Sequence, residues 1–60
     1  MSPADQLRAR IRSERKRARL ARERGRRAVA DRYEAHAERH ADILARYLAR
    51  CAKLGLWEVA

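Results

Sequence analysis

Two histidines four residues apart, His36 and His40, are the part of this sequence whose spacing could support metal chemistry. Side chains at i and i+4 of a helix share one face, so such a pair could chelate zinc. The order between them is not that of the metalloprotease motif, because Glu38 stands at the third position. No third ligand lies nearby, since Cys51 is eleven residues beyond His40. We therefore predict no metal and no cofactor. We interpret both histidines as polar members of a helical interface that protonation would weaken.

The single cysteine, Cys51, lacks the setting of a catalytic nucleophile. Neither a general base nor an oxyanion-hole arrangement is visible around it, so we expect it to act as a small apolar group in the interface. One cysteine cannot form an intramolecular disulfide, which fits a reducing cytoplasmic location. Catalysis also needs a concave site with clustered acids, bases or nucleophiles. We therefore expect no enzymatic activity.

The arginines carry the strongest chemical signal. Residues 1–30 contain eleven Lys or Arg against three acids, and residues 31–60 contain five of each sign, so the first half holds the whole net charge of +8. Cations three or four residues apart repel one another on a helix, and a polyanion would relieve that repulsion. We predict that an Arg-rich basic arm, residues 8–27, binds nucleic acid. The phosphate contacts are expected from Arg8, Arg12, Arg15, Lys16, Arg19, Arg22, Arg26 and Arg27.

The arm also limits how nucleic acid would be recognised. No aromatic residue precedes Tyr33, so the arm itself has no platform on which a base could stack. The chain has no Asn and one Gln, Gln6, so it is poorly equipped to read adenine edges. We expect backbone-dominated binding of duplex DNA or structured RNA, with an affinity that falls steeply with salt. The alternative target is an acidic protein surface.

The elements that position these residues are predicted to be helical throughout. Small and apolar residues recur at steps of three and four from residue 4 to residue 54, and Glu14 is the charged exception. The stripe keeps its phase through Gly25 to Val29, His36 and Ile43, which predicts an all-α chain built as one long, nearly continuous helix over about 3–54. Ser2-Pro3 is typical of the start of a helix and Gly55 of its end.

The alternative is a helical hairpin broken near Gly25–Asp31. Gly25 could end a first helix, and Asp31-Arg32-Tyr33-Glu34 could serve as a capping box for a second. The same region begins an acidic ridge, which we interpret as a solvated face or as a contact for the basic arms of neighbouring copies. The ridge consists of Asp31, Glu34, Glu38 and Asp42.

The second half, residues 33–57, is interpreted as an apolar association helix and tail within a single unit of 1–60. Its apolar face is wide, and a chain this short buries little surface alone, so we expect the protein to form a homo-oligomer. A regulator or a packaging factor that binds nucleic acid would have this form. The alternative function is a small interaction subunit that docks on a larger protein or ribonucleoprotein assembly. The sequence contains no apolar run long enough for a membrane span. The expected protein-interface residues are Tyr33, His36, His40, Ile43, Leu44, Tyr47, Leu48, Cys51, Leu54 and Trp57.

Overall fold

The computed structural model describes residues 2–56, and Trp57 of the predicted interface lies outside them. Two α-helices form this part of the chain: α1, Pro3–Glu23, and α2, Arg27–Leu54. Residues 2–56 contain no β-strand, so the all-α prediction is confirmed. Within the same residues, neither helix has an 18-residue segment apolar enough to cross a membrane.

The start of α1 follows the sequence signal closely. The backbone N–H of Asp5 donates a 3.1 Å hydrogen bond to the Ser2 hydroxyl, which makes Ser2 the N-cap, and Pro3 occupies the first helical position. Proline fits there because its missing N–H would have no helical partner, and the Asp5 carboxylate is favoured by the positive end of the helix dipole. These groups satisfy an otherwise open helix end.

The turn between the helices is a glycine-capped helix end. Gly25 adopts a left-handed conformation with φ +75°, which costs glycine little and other residues more. The amide of Arg26 donates to the Ala21 carbonyl at 2.8 Å, and the amide of Gly25 donates to the Arg22 carbonyl at 3.0 Å. This pair of bonds is a Schellman motif, which satisfies the last carbonyls of α1 and turns the chain out of the helix.

The structure has two helices where the sequence favoured one continuous helix over 3–54. Such a helix would be about 78 Å long, whereas the longest dimension of the structure is 45 Å. The break spans residues 24–26, at the early edge of the region named for the alternative. The proposed capping box at Asp31 is not used, because α2 begins at Arg27 after Arg26, whose side chain makes no capping hydrogen bond.

The two helices pack against each other in antiparallel fashion along a seam of small residues. The buried residues are Ala4, Ile11, Ala18 and Ala21 in α1 and Ala30 and Ala37 in α2. Five of these six are alanines, and small side chains let helix axes approach closely. The seam is correspondingly thin: no large side chain among the described residues is fully buried. Short chains with so little burial are marginally stable alone.

The seam also explains why the sequence pattern suggested continuity. In α2 the buried residues are Ala30 and Ala37. Each follows by one position a residue of the stripe that the sequence pattern extends from α1. Val29 and His36, which that stripe included, are exposed. The glycine turn resets the helical phase, so the apparent continuity through Gly25 was a coincidence of spacing.

The end of α2 agrees with the sequence. Gly55 has φ +73°, and the amide of Leu56 donates a 2.7 Å hydrogen bond to the carbonyl of Cys51. The chain thus folds back at residue 56 as expected for a glycine C-cap. Lys53 lies in the last turn, where a cation is favoured by the negative end of the helix dipole.

Candidate functional site

The hairpin gives the basic arm two unlike sides. Neighbouring helical positions are 100° apart, so residues two positions apart point in nearly opposite directions around the axis. Arg15 and Arg17 consequently flank the seam on opposite sides. Each side borders a different edge of α2, and the α2 residues found there determine what surrounds the cations.

One side forms an open groove of about 790 Å³, which we call the cationic groove. Its cations, Arg10 and Arg17, come from α1, and its rings, Tyr33, His36 and His40, come from α2. Gln6, Ala9, Ser13 and Glu14 complete the lining.

A smaller hollow of about 240 Å³ continues the groove toward the turn. It adds Arg24 and Arg26 and shares Arg17 and Tyr33 with the groove. Tyr33 is half-buried, and the two spaces that it lines contain four arginines in all. The arm itself contains no aromatic residue, as the sequence states, but the hairpin brings Tyr33 of α2 beside it.

A carboxylate and an imidazole meet between the helices beside this groove. Glu14 Oε1 lies 2.7 Å from His40 Nδ1, and their side chains are only 14% and 18% exposed. This contact accounts for the charged exception in the α1 stripe. It also gives His40, which we expected in a contact between chains, a partner within its own chain. A polar pair in an apolar seam favours the helix register in which its two members meet.

On the opposite side of the seam, which we call the paired edge, acids of α2 lie beside arginines of α1. Arg22 Nη1 donates to Glu34 Oε1 at 2.6 Å, and Arg22 Nη2 lies 3.6 Å from Asp31 Oδ1. Arg15 lines a hollow on this side together with Glu34 and Glu38. Three residues of the predicted acidic ridge thus border basic residues of the same chain.

The ion pair shifts the protonation equilibria of its members. The hydrogen bond from Arg22 lowers the pKa of the Glu34 carboxyl below 4.5. The same bond, with the nearby carboxylate charge, raises the pKa of Arg22. Both side chains are exposed, so water and salt screen the attraction, and the pair is a weak contributor to stability.

The eight predicted phosphate contacts therefore fall into two groups. Arg8 pairs with Asp5 at 3.3 Å, Arg22 pairs with Glu34, and Arg15 lies beside acids. The other five are exposed, and none has a carboxylate partner within residues 2–56. They are Arg12, Lys16, Arg19, Arg26 and Arg27.

Sequence reasoning left out three exposed cations, Arg10, Arg17 and Arg24, that the hairpin brings to one side. They are spaced by seven residues, as are Arg8, Arg15 and Arg22 on the paired edge. In the second set, Arg15 and Arg22 have acids of α2 beside them, and Arg8 pairs with Asp5 of its own helix. The heptad spacing is visible in the sequence, but choosing between the sets requires the register of α2.

Most of the predicted interface residues lie along the seam or beside it. Six of the ten are half-buried on the α2 face that packs toward α1, and three others, His36, Ile43 and Leu54, are exposed. Ile43 is 46% exposed and Leu54 is 63% exposed, and Leu20, Val29 and Leu56 add further exposed apolar side chains. The half-buried six are Tyr33, His40, Leu44, Tyr47, Leu48 and Cys51.

The described surfaces present guanidinium groups together with tyrosine and histidine rings. Among residues 2–56, no three His, Cys, Asp or Glu side chains cluster as metal ligands would. Cys51 is a half-buried free thiol on α2.

No protein-family model, no curated protein and no solved structure matches the chain.

Proposed function

We propose that this protein binds nucleic acid, chiefly through phosphate contacts made by the basic arm. The observation that supports this most is the number of uncompensated cations. Of the eleven in residues 1–30, only Arg8 and Arg22 have a carboxylate partner within the described residues. The remaining nine are exposed and close together. A phosphate backbone would neutralise them and release its condensed counterions.

The expected mode is sequence-tolerant. Asn is absent from the chain and Gln6 is the one glutamine, so base edges have few of their usual side-chain partners. Arginine forms bidentate contacts with phosphate, and these position a protein on nucleic acid without reading its sequence. We infer that the protein binds nucleic acid as the hairpin, which presents both sides of α1. We propose that it does so in the cytoplasm.

Self-association through the second half belongs to the same proposal. The seam buries mainly alanines, while Ile43 and Leu54 remain exposed on α2. A second copy that covered them would add the apolar burial that the hairpin lacks. Sedimentation of the pure protein at several concentrations tests this: a single monomeric species throughout would contradict it.

The second candidate is a small non-enzymatic subunit that docks on a larger protein or ribonucleoprotein assembly. The same exposed apolar residues favour it, because an isolated hairpin with this seam would gain stability from a host surface. In that case the arginines would meet acidic side chains or RNA of the host. A poorly helical monomer in isolation would favour this candidate over self-association.

The direct test is a binding titration repeated across salt concentrations. Fluorescently labelled duplex DNA, structured RNA and an acidic polypeptide of matched charge would each be titrated at salt between about 50 and 200 mM. We expect binding of the nucleic acids with a logarithmic slope of about −0.9 for each phosphate neutralised on duplex DNA. Preferential binding of the polypeptide would favour an acidic protein target. No binding of nucleic acid at low salt would contradict the proposal.

A further inference from the structure

We propose that the cationic groove is a subsite for an unpaired nucleotide, whose base stacks on the Tyr33 ring while neighbouring phosphates bind Arg10 and Arg17. This inference rests on the proposed nucleic-acid binding and deepens it. It names the substrate class as single-stranded RNA or DNA, or an unpaired segment within a folded RNA.

The position of Tyr33 is the first support. Tyr33 lines both the cationic groove and the smaller hollow, so it stands at the junction of two open spaces on the same side of the hairpin. It shares the smaller hollow with Ala21, a buried alanine of the seam. Tyr33 is half-buried, so part of its side chain is accessible from these spaces.

The charges around the ring are the second support. Arg10 and Arg17 lie on one stretch of the groove, and Arg24 and Arg26 lie in the hollow beyond Tyr33. None of the four has a carboxylate partner within residues 2–56. A strand that crosses Tyr33 would therefore meet guanidinium groups before and after the stacked base. Cations along the backbone together with an aromatic platform are the usual features of single-strand binding sites.

The groove contains one carboxylate, which needs to be accounted for. Glu14 is only 14% exposed and lies 2.7 Å from the His40 imidazole. One of its two carboxylate oxygens therefore already contacts a ring nitrogen of the seam, although Glu14 also lines the groove. His36, by contrast, is exposed at the groove and offers a second ring to a base or a donor to a phosphate.

The same features favour an unpaired strand over a duplex. In a duplex the base faces are stacked on one another, so an aromatic side chain gains access only where a base is unpaired. The paired edge has no described ring among its lining residues Arg15, Glu34, Ala37 and Glu38. The paired edge would bind a phosphate backbone weakly, because acids lie beside its arginine. It would bind a normal strand and an abasic strand equally well, because it offers no ring to a base.

The test compares two probes that differ only in their bases. One is a fluorescent oligodeoxythymidine of about ten nucleotides, a length typical of single-strand sites, and the other is an abasic oligonucleotide with the same phosphates. Titrations of the full chain at low salt would follow fluorescence anisotropy. We expect the thymidine strand to bind at least about five-fold more tightly, since stacking contributes at this level. A uridine RNA of the same length and a duplex would compare RNA, DNA and paired bases.

Variants of Tyr33 locate the effect. Tyr33→Leu should remove the preference for the strand with bases, and Tyr33→Phe should keep it, because the ring remains. The matched control is Tyr47→Leu, the same change on the same helix at a residue that lines a different groove. It should keep the preference. Circular dichroism would establish that each variant has the helicity of the parent chain.

The outcomes separate the inference from the function beneath it. Equal affinity of the parent chain for both probes would overturn the stacking subsite and leave phosphate binding intact, whether or not any Tyr33 variant folds. Loss of the preference in Tyr47→Leu as well would also overturn it, because Tyr33 would not be distinctive. Failure to bind any nucleic acid, duplex included, would overturn the proposed function and this inference together.

Discussion

The two sides of the hairpin carry arginines at the same spacing but in opposite surroundings. Arg8, Arg15 and Arg22 are paired with acids or border them, whereas Arg10 and Arg17 face tyrosine and histidine. Both sets come from one helix and repeat every seven residues. The surroundings of Arg15 and Arg22 come from acids of α2, whereas Arg8 pairs with Asp5 of its own helix. Position relative to α2, as well as the number of arginines in α1, therefore separates the cations that have acidic neighbours from those that do not.

The largest expected effect comes from removing one set of cations at a time. The triple variant Arg10→Gln, Arg17→Gln and Arg24→Gln should lower nucleic-acid affinity and make the slope of log affinity against log salt shallower by about 2 to 3 on duplex DNA, because up to three phosphate contacts are lost. Binding titrations between about 50 and 200 mM salt measure both quantities.

The matched control is the triple variant Arg8→Gln, Arg15→Gln and Arg22→Gln. It changes the net charge by the same amount and at the same spacing, but two of its members already have carboxylate partners. We expect a smaller loss of affinity and a smaller change of slope. Equal losses in the two triples would mean that net charge alone governs binding and that the two sides do not differ in function.

The next effect tests the seam that holds the two sides apart. Ala37→Leu inserts three carbons at a position that is 2% exposed, and overpacking of this kind costs about 1–3 kcal/mol. Ala35→Leu makes the same change on the exposed face of the same helix and should stay within about 0.5 kcal/mol of the parent chain. Urea unfolding followed by circular dichroism compares them. Equal stabilities would mean that the alanine seam does not pack as described.

The turn gives a smaller effect and tests whether the two sides exist at all in solution. Gly25→Ala places a side chain at φ +75°, where L residues are strained, and should destabilise the hairpin by about 1 kcal/mol. Relief of that strain would favour a longer, more continuous helix. Gly55→Ala imposes the same strain at the end of α2 without joining two helices. Small-angle scattering should therefore show lengthening only for Gly25→Ala, and an already elongated parent chain would contradict the hairpin.

Much of the local structure could be predicted from sequence because its causes are local. Ser2, Pro3 and Gly55 act through hydrogen bonds and dihedral angles within a few residues, and the structure has them in the expected roles. The helical content follows from residue types for the same reason. The sequence marks Gly25 as a possible helix end. Whether the helix ends there depends on whether packing of α1 against α2 favours the turn over one continuous helix.

The site was harder to predict because it depends on register. The pairing of Glu14 with His40 joins residues 26 apart, and that of Arg22 with Glu34 joins residues 12 apart. Neither follows from the spacing within one helix. The sequence identified Glu14 as out of place and the acidic ridge as a feature, but it could not assign a partner to either. Likewise, nothing within α1 distinguishes Arg15 from Arg17, and only the position of α2 places acids beside one and rings beside the other.

The smallest expected effect is the acid titration of the paired edge. Because the hydrogen bond from Arg22 lowers the pKa of Glu34 in the folded chain, the pair stabilises the hairpin fully above the ordinary value of 4.5. That stabilisation is lost as the pH falls through the lowered folded value. NMR titration of the Glu34 carboxyl should show its pKa rising toward 4.5 in Arg22→Gln and moving less in Arg15→Gln, since Arg15 borders Glu34 without a bond to it. An unchanged pKa in Arg22→Gln would mean that the pair does not persist in solution. Arg22 would then be as free to bind phosphate as Arg10 and Arg17, and the distinction between the two sides would rest on the groove's rings alone.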